Sequence, residues 1–433
     1  MPRPVGLVSP GNGGIAGGVS AGANVLAIGG PGDLTISGVI PAAQTGGLAK
    51  LGAGTLTLSA ANLYTGTTYL GAGTIAVGTN TSLGTGTLQI LSDVGTLTAA
   101  SPGLTLANTV GLSGTLNVAG TNNLTLSGPV NLQSASRAVN VAAGLTVTMS
   151  GVVAGNTTSA GIGLVKSGAG TLVLTGANTY GPSGNSGFYL AQTVVNAGEL
   201  RINNTTGSGT GGSAVVVNSG GRLSGTGFIV PTQLGTARNT VTVNSGGTLS
   251  PGLPVTNASP GTLTVGSSTT PGLTDATVVL GAGSRLAFFQ NTTVAPAAAG
   301  VNTGGSGTAG TANNVLTVLG NLVVDPAAVF AIAGDYNTFP SHTASYSFQV
   351  ATATAIPTAV NITNQSQFDT SQFLSYNPGD YVFSLQSAGN ALYFNMQLAP
   401  VPEPSLVLAV CAGAAAALRL RRRRPGEGLN GTD

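Results

Sequence analysis

The chain has 433 residues, of which 42% are apolar and only 6% charged, with 69 Gly, no Trp, one His and one Cys. That balance excludes the charged, core-poor make-up of a disordered chain. Met1 to Pro400 carries eight basic and eight acidic side chains, which excludes a basic surface for nucleic acid; the lone Cys411 excludes an internal disulfide.

From the N-terminus, "MPRPVGLVSPGNGG" has no apolar h-region, so the reading frame is expected to begin upstream of Met1. The chain then repeats one device, a short alternating run closed by Gly or Asn. Examples are "GTLTLS" (Gly54–Ser59), "GTIAVG" (Gly73–Gly78), "GTLNVAG" (Gly114–Gly120), "GTLVLTG" (Gly170–Gly176) and "TVTVNSGG" (Thr240–Gly247). Alternation puts apolar groups on one face of a strand, and Thr and Val favour strands through their branched Cβ. One such strand cannot bury its face alone, whereas many stacked in register can. The pattern predicts a solenoid of about 20 residues per rung over 1–325, roughly 75 Å long at 4.8 Å per layer, with Asn and Thr stacking as ladders at equivalent corners.

Near Asp325–Pro326 the text changes. Twelve of the 20 aromatic residues lie between Phe330 and Phe394. Strand-like runs persist there, and 326–399 is predicted to be a β cap, because a stack leaves its last layer open. Residues 400–433 form a tail of another kind. Pro402-Glu403-Pro404 is stiff and extended. Leu406 to Leu418, with Leu408 and Val410 among its apolar positions, predicts a short helix. At 1.5 Å per residue it spans about 20 Å, less than the roughly 30 Å hydrocarbon core. Arg419, Arg421, Arg422, Arg423 and Arg424 follow, an arrangement that holds a segment's end on the cytoplasmic side.

Two stretches carry a family resemblance. "GLAKLGAGTLTLSAANLY" (Gly47–Tyr64) and "GLVKSGAGTLVLTGANTY" (Gly163–Tyr180) resemble the autotransporter-associated β-strand repeat. The resemblance implies an all-β, right-handed parallel β-helix displayed outside the cell. The tail resembles a PEP-CTERM sorting signal. That resemblance implies export and processing near Pro402, Glu403 and Pro404 by an exosortase-type membrane protease, a transient hold in the membrane through the apolar segment, and association with exopolysaccharide or other surface glycans and biofilm. No run of ten-residue alternating strands of the kind a translocator barrel needs is present, so the tail stands where a barrel is expected.

Residues with reactive groups read blandly. His342 has no second ligand beside it and no partner base. The acid pairs Asp325 with Asp335 and Asp369 with Asp380 sit in turn-like text. Lys50 and Lys166 share a repeat position and read as solvated corners. Tyr64 and Tyr180 read as packed corners rather than sugar-stacking platforms. Cys411 is a small apolar residue of the tail, and the Asn-x-Ser/Thr triplets at Asn123 and Asn156 arise from composition. No catalytic residue, metal site or cofactor is expected, and nucleic acid is not an expected partner. The expected role is an exported structural or adhesive component of the cell surface or extracellular matrix. The alternative is an extracellular β-helix that binds or degrades polysaccharide.

Overall fold

The computed structural model describes residues 5–8, 11–155, 162–181, 191–231, 240–252, 261–267, 276–289, 314–335, 346–374 and 379–399. His342, Cys411, Asn156 and the whole tail from Val401 lie outside them, so the predicted C-terminal helix is not described. Among the described residues there is no α-helix, and one 3-10 turn, Gln365–Gln367, interrupts the strands.

The strands form a parallel β-helix. A first sheet holds eight strands, from Val5–Val8 to Val153–Ala154. A third holds ten, from Leu104–Leu106 to Phe368–Leu374. Between them a second sheet runs the length of the stack, from Gly13–Ile15 through Thr55–Leu58, Thr96–Ala99 and Gln192–Val195 to Tyr346–Ala355, every step parallel. That column contains fourteen strands, hence thirteen layer spacings and about 62 Å. This is shorter than the sequence predicts because rungs lengthen along the chain. Thr55 pairs with Thr74 and Leu116 with Val139, but Thr240 pairs with Thr277 and Ala276 with Gly320.

Each rung puts one face inward. Leu34, Leu56, Ile75, Leu97, Val118 and Val141 stack in register, all buried. On the third sheet Leu104, Leu124, Val147, Leu172, Leu200, Leu223, Leu249 and Leu286 do the same, and the column ends in Phe330 and Phe368. Outward positions also align: Thr55, Thr74 and Thr96 lead into Asn117 and Asn140. At about 25 cal/mol per Å² of apolar area removed from water, such columns supply the main favourable term.

The repeat text therefore occurs at two different places around the axis. The first copy runs from the first sheet (Leu48–Lys50) to the second (Thr55–Leu58); the later copy runs from the second (Leu164–Ser167) to the third (Thr171–Leu174). Between the copies the first sheet climbs through Thr68, Leu88, Val110, Val130 and Val153, five rungs, and the chain then takes one further side.

The C-terminal end closes by a change of strand direction. Ala391–Leu398 lies antiparallel on both Tyr346–Ala355 and Tyr381–Ala388. Phe394 meets the rings of Phe288, Phe348, Phe368 and Phe383 at centroid distances of 5.2, 6.3, 5.9 and 5.5 Å. Rings suit this place because they fill the end of the aliphatic column with few side chains. Phe394→Ala should cost about 3–5 kcal/mol. Hydrogen exchange should show protection lost first over Tyr381–Leu398, with the rungs before Asn140 unchanged.

Candidate functional site: the inter-rung locks

The two repeat copies build the same polar assembly inside the wall of the solenoid. Its first member is the lysine. Lys50 and Lys166 are 2% and 0% exposed, so the expectation of a solvated corner is corrected. The alternation that ends each strand turns the lysine inward, where its ammonium meets turn carbonyls. The Lys166 Nζ donates to the carbonyls of Ser167 (2.7 Å) and Gly168 (2.6 Å) in its own corner, and to Ala197 (3.1 Å) in the corner one rung on. Lys50 donates to Gly52 in its own corner and to Ala72 (3.3 Å) in the next. Corners expose several carbonyls that no ladder partner can reach, and an ammonium with three donors satisfies them together.

The second member is the asparagine. Asn62 and Asn178 are buried. The Asn62 Oδ1 accepts from the Ile40 N–H (2.8 Å) in the preceding rung, and its Nδ2 donates to the Ser82 carbonyl (2.6 Å) in the following one. Asn178 repeats this with the Val153 N–H (2.7 Å) and the Gly209 carbonyl (2.6 Å). Each amide thus ties three successive rungs with one side chain.

The third member is the tyrosine. Tyr64 and Tyr180 are buried, as the packed-corner reading expects. Their hydroxyls meet the Thr68 Oγ1 at 2.6 Å and the Thr193 Oγ1 at 2.9 Å. The threonine is 4 residues away in one copy and 13 in the other, so the contact survives an insertion. Burial raises both phenol pKa values, and the threonine hydrogen bond opposes that rise.

Sequence reasoning missed Gly84 and Gly211, which complete the locks. Both have positive φ, 57° and 58°. A Cβ at either would lie 2.1 and 2.0 Å from the carbonyl oxygen of Tyr64 or Tyr180. Only glycine lets the next rung approach that closely. Their recurrence after each Asn-x-Tyr was the available signal, obscured by the unequal spacing.

The other expected positions have structural partners. Asp325 Oδ1 accepts from the Ala327 N–H at 2.8 Å, and Asp369 Oδ1 accepts from the Ser371 N–H at 2.9 Å, as turn residues do. Asp369 also pairs with Arg285, and Asp380 is exposed. Asn123 accepts from the Thr146 N–H of the next rung at 2.8 Å. The predicted corner ladder occurs where Asn244 donates to Asn218 and Asn218 to Asn196, both at 2.8 Å; a further amide pair, Asn140 donating to Asn117 at 2.9 Å, lies within strands rather than at a corner. Among the described residues no three His, Cys, Asp or Glu side chains gather to hold a metal ion.

The family model for the passenger-associated-transport-repeat matches residues 48–77 and 164–202. Those spans contain Lys50, Asn62, Tyr64 and Thr68 in one case and Lys166, Asn178, Tyr180 and Thr193 in the other. The matched text thus holds the lysine, asparagine, tyrosine and threonine of each lock, while Gly84 and Gly211 lie beyond it, and the chain carries two passenger-type repeats. The chain is also similar to the adhesin BmaC autotransporter of Brucella suis biovar 1 (strain 1330), 35% identical over 162 residues. That alignment covers 36% of this chain and 4% of the relative, so the chain matches only a small part of that protein's length.

Replacing Asn178 with Ala should leave the Val153 N–H and the Gly209 carbonyl unpaired. At about 1–3 kcal/mol for each orphaned group, the expected loss is roughly 2–6 kcal/mol in denaturant unfolding. Lys166 makes a pH-dependent prediction. Burial pulls its pKa from 10.5 down to about 8, against an upward pull from Glu199. Between those values the unfolded chain holds the extra proton, so this group makes stability rise with pH. Thermal unfolding at pH 7.5 and 9.5 should show a relative gain for the native chain that Lys166→Met lacks.

Proposed function

We propose that this chain is an exported adhesive or structural protein of the cell surface or extracellular matrix, and that its rod is the working part. The observation that carries this reading is the pair of inter-rung locks whose lysine, asparagine, tyrosine and threonine lie where the passenger-type repeat matches. The likeness to part of a bacterial adhesin supports it. So does the chemistry of the outer faces, where columns of Thr and Asn offer neutral hydrogen-bonding surface with few charges.

Residues 400–433 would be the sorting tail of such a protein, with 1–325 as the helix and 326–399 as the cap. In that reading Pro402, Glu403 and Pro404 are read by an exosortase-type membrane protease. The apolar run from Leu406 to Leu418 is held in the membrane for a time, and the arginines from Arg419 to Arg424 keep its end on the cytoplasmic side. No reaction by the chain itself is proposed; in the one covalent event it is the substrate.

The test is fractionation of cells that carry an exosortase-type protease and express the full chain with an epitope before Val401. The native chain should reach the extracellular fraction shortened by its tail. The triple change Pro402→Ala, Glu403→Ala and Pro404→Ala should leave the full-length protein in the membrane fraction. Equal processing of both would defeat the sorting assignment. A purely cytoplasmic native product would defeat the export assignment as well.

A further inference from the structure

Sixteen charged side chains are spread from Met1 to Pro400, yet five of them meet on the outer face of the third sheet. Glu199 and Arg201 stand on Gly198–Ile202, Arg222 on Gly221–Gly225, Arg285 on Arg285–Phe289 and Asp369 on Phe368–Leu374. Register aligns Glu199, Arg222, Thr248 and Arg285 in one column, and Arg201, Ser224 and Ser250 in the next. Their strand neighbours Leu200, Leu223, Leu249 and Leu286 are buried in the core, so these positions lie on the other face of the sheet, where Ser224 and Ser250 are themselves covered and the arginines stand further out.

The cluster is not a closed set of ion pairs. Arg201 Nε donates to Glu199 Oε1 at 3.0 Å, Ser224 also donates to that oxygen, and Arg285 pairs with Asp369. Arg222 lies between these pairs in register. Its Nη2 donates to the Ser250 hydroxyl at 2.6 Å, and its Nε is buried without a hydrogen-bond partner, so the donors within reach of a ligand are those at the outer edges of the cluster. Three guanidiniums bring roughly fifteen N–H donors, more than the roughly twelve acceptor positions of two carboxylates and two serine hydroxyls. The net charge of the five is positive. The Arg201 and Arg285 side chains are 20% and 37% exposed, so their outer edges can be reached. Burial and the neighbouring Arg201 and Arg285 lower the Arg222 pKa, while Glu199 opposes them; an added anion would relieve that crowding.

We propose that Arg201, Arg222 and Arg285 form a binding face for an acidic polysaccharide, whose carboxylates take the guanidinium donors exposed at its outer edge. Planar guanidinium forks match carboxylates in a bidentate way. Arg222 and Arg285 are two rungs apart, about 10 Å along the axis, which suits a polymer with repeated charges better than a single small anion. The proposal names the partner class of the adhesive reading and rests on that reading only for its use in the cell; the binding itself does not depend on export.

The test is calorimetric titration of the purified full chain with alginate, a polyuronate, beside neutral dextran. Alginate should bind at low ionic strength and release as salt is added. Arg222→Gln should weaken it about tenfold or more, as loss of one charge-assisted contact would. Arg137→Gln, on the second sheet, should stay within about twofold by the same reasoning. Circular dichroism should confirm that the variants fold, and Arg285→Gln replaces Arg222→Gln if the latter does not. Absence of alginate binding, or binding unchanged in the folded variant, would overturn the site. Binding of dextran equal to that of alginate would also overturn it, while leaving the adhesive reading in place. Failure of export in the fractionation experiment would leave the site intact.

Discussion

The constraint on which this fold depends is the hydrogen bonding of each rung to the rung on either side. In a parallel stack a strand's N–H and C=O groups point along the long axis, so no rung satisfies its own backbone. Buried polar backbone left unpaired costs about as much as a lost hydrogen bond or more. Each rung must therefore repeat the rise and register of its neighbour, at corners as well as along strands. Apolar columns supply most of the favourable free energy, but they are tolerant of sliding. The corners are where a slip would leave carbonyls and amides without partners.

This explains why the most specific text in the chain is polar and buried. Lys166 suffers desolvation, which its lowered pKa records, yet it closes three carbonyl contacts that turn geometry would leave open. Asn62 and Asn178 act where the strand ladder stops, giving one rung an acceptor and the other a donor. A buried polar group that fits only one alignment of neighbours is a registry device as much as a source of stability. Two such locks, at different angular positions and five rungs apart, fix the stack around two of its sides.

Much of this architecture was legible in the sequence. Leu-x-Leu and Val-x-Val runs closed by Gly or Asn gave the parallel stack, and the aromatic runs after Phe330 signalled the closing end. What the sequence hid was anything that depends on neighbours along the axis. Lys50 and Lys166 read as exposed because a lysine beside a turn normally reaches water; besides the carbonyls of its own corner, each is held by one that lies 22 or 31 residues further on, at Ala72 or Ala197. Rung lengths were underestimated because insertions at the corners leave strand text unchanged. The change of side between repeat copies was invisible for the same reason, since the text of a strand does not say which wall it joins.

The charged face of the third sheet follows from the same geometry. Glu199 and Asp369 are 170 residues apart in the chain, yet the strands that carry them lie five layers apart on one sheet. A solenoid turns positions scattered at irregular chain intervals into columns at a fixed spacing, independent of how long each excursion between them is. Function can then be added to such a rod one outward residue at a time without disturbing the inward column. That freedom is not available at the locks, where every polar atom already has a partner in another rung. Binding chemistry added to such a scaffold therefore belongs on outward positions of the sheets, and the repeated motif, for all its regularity, is the part least free to carry it.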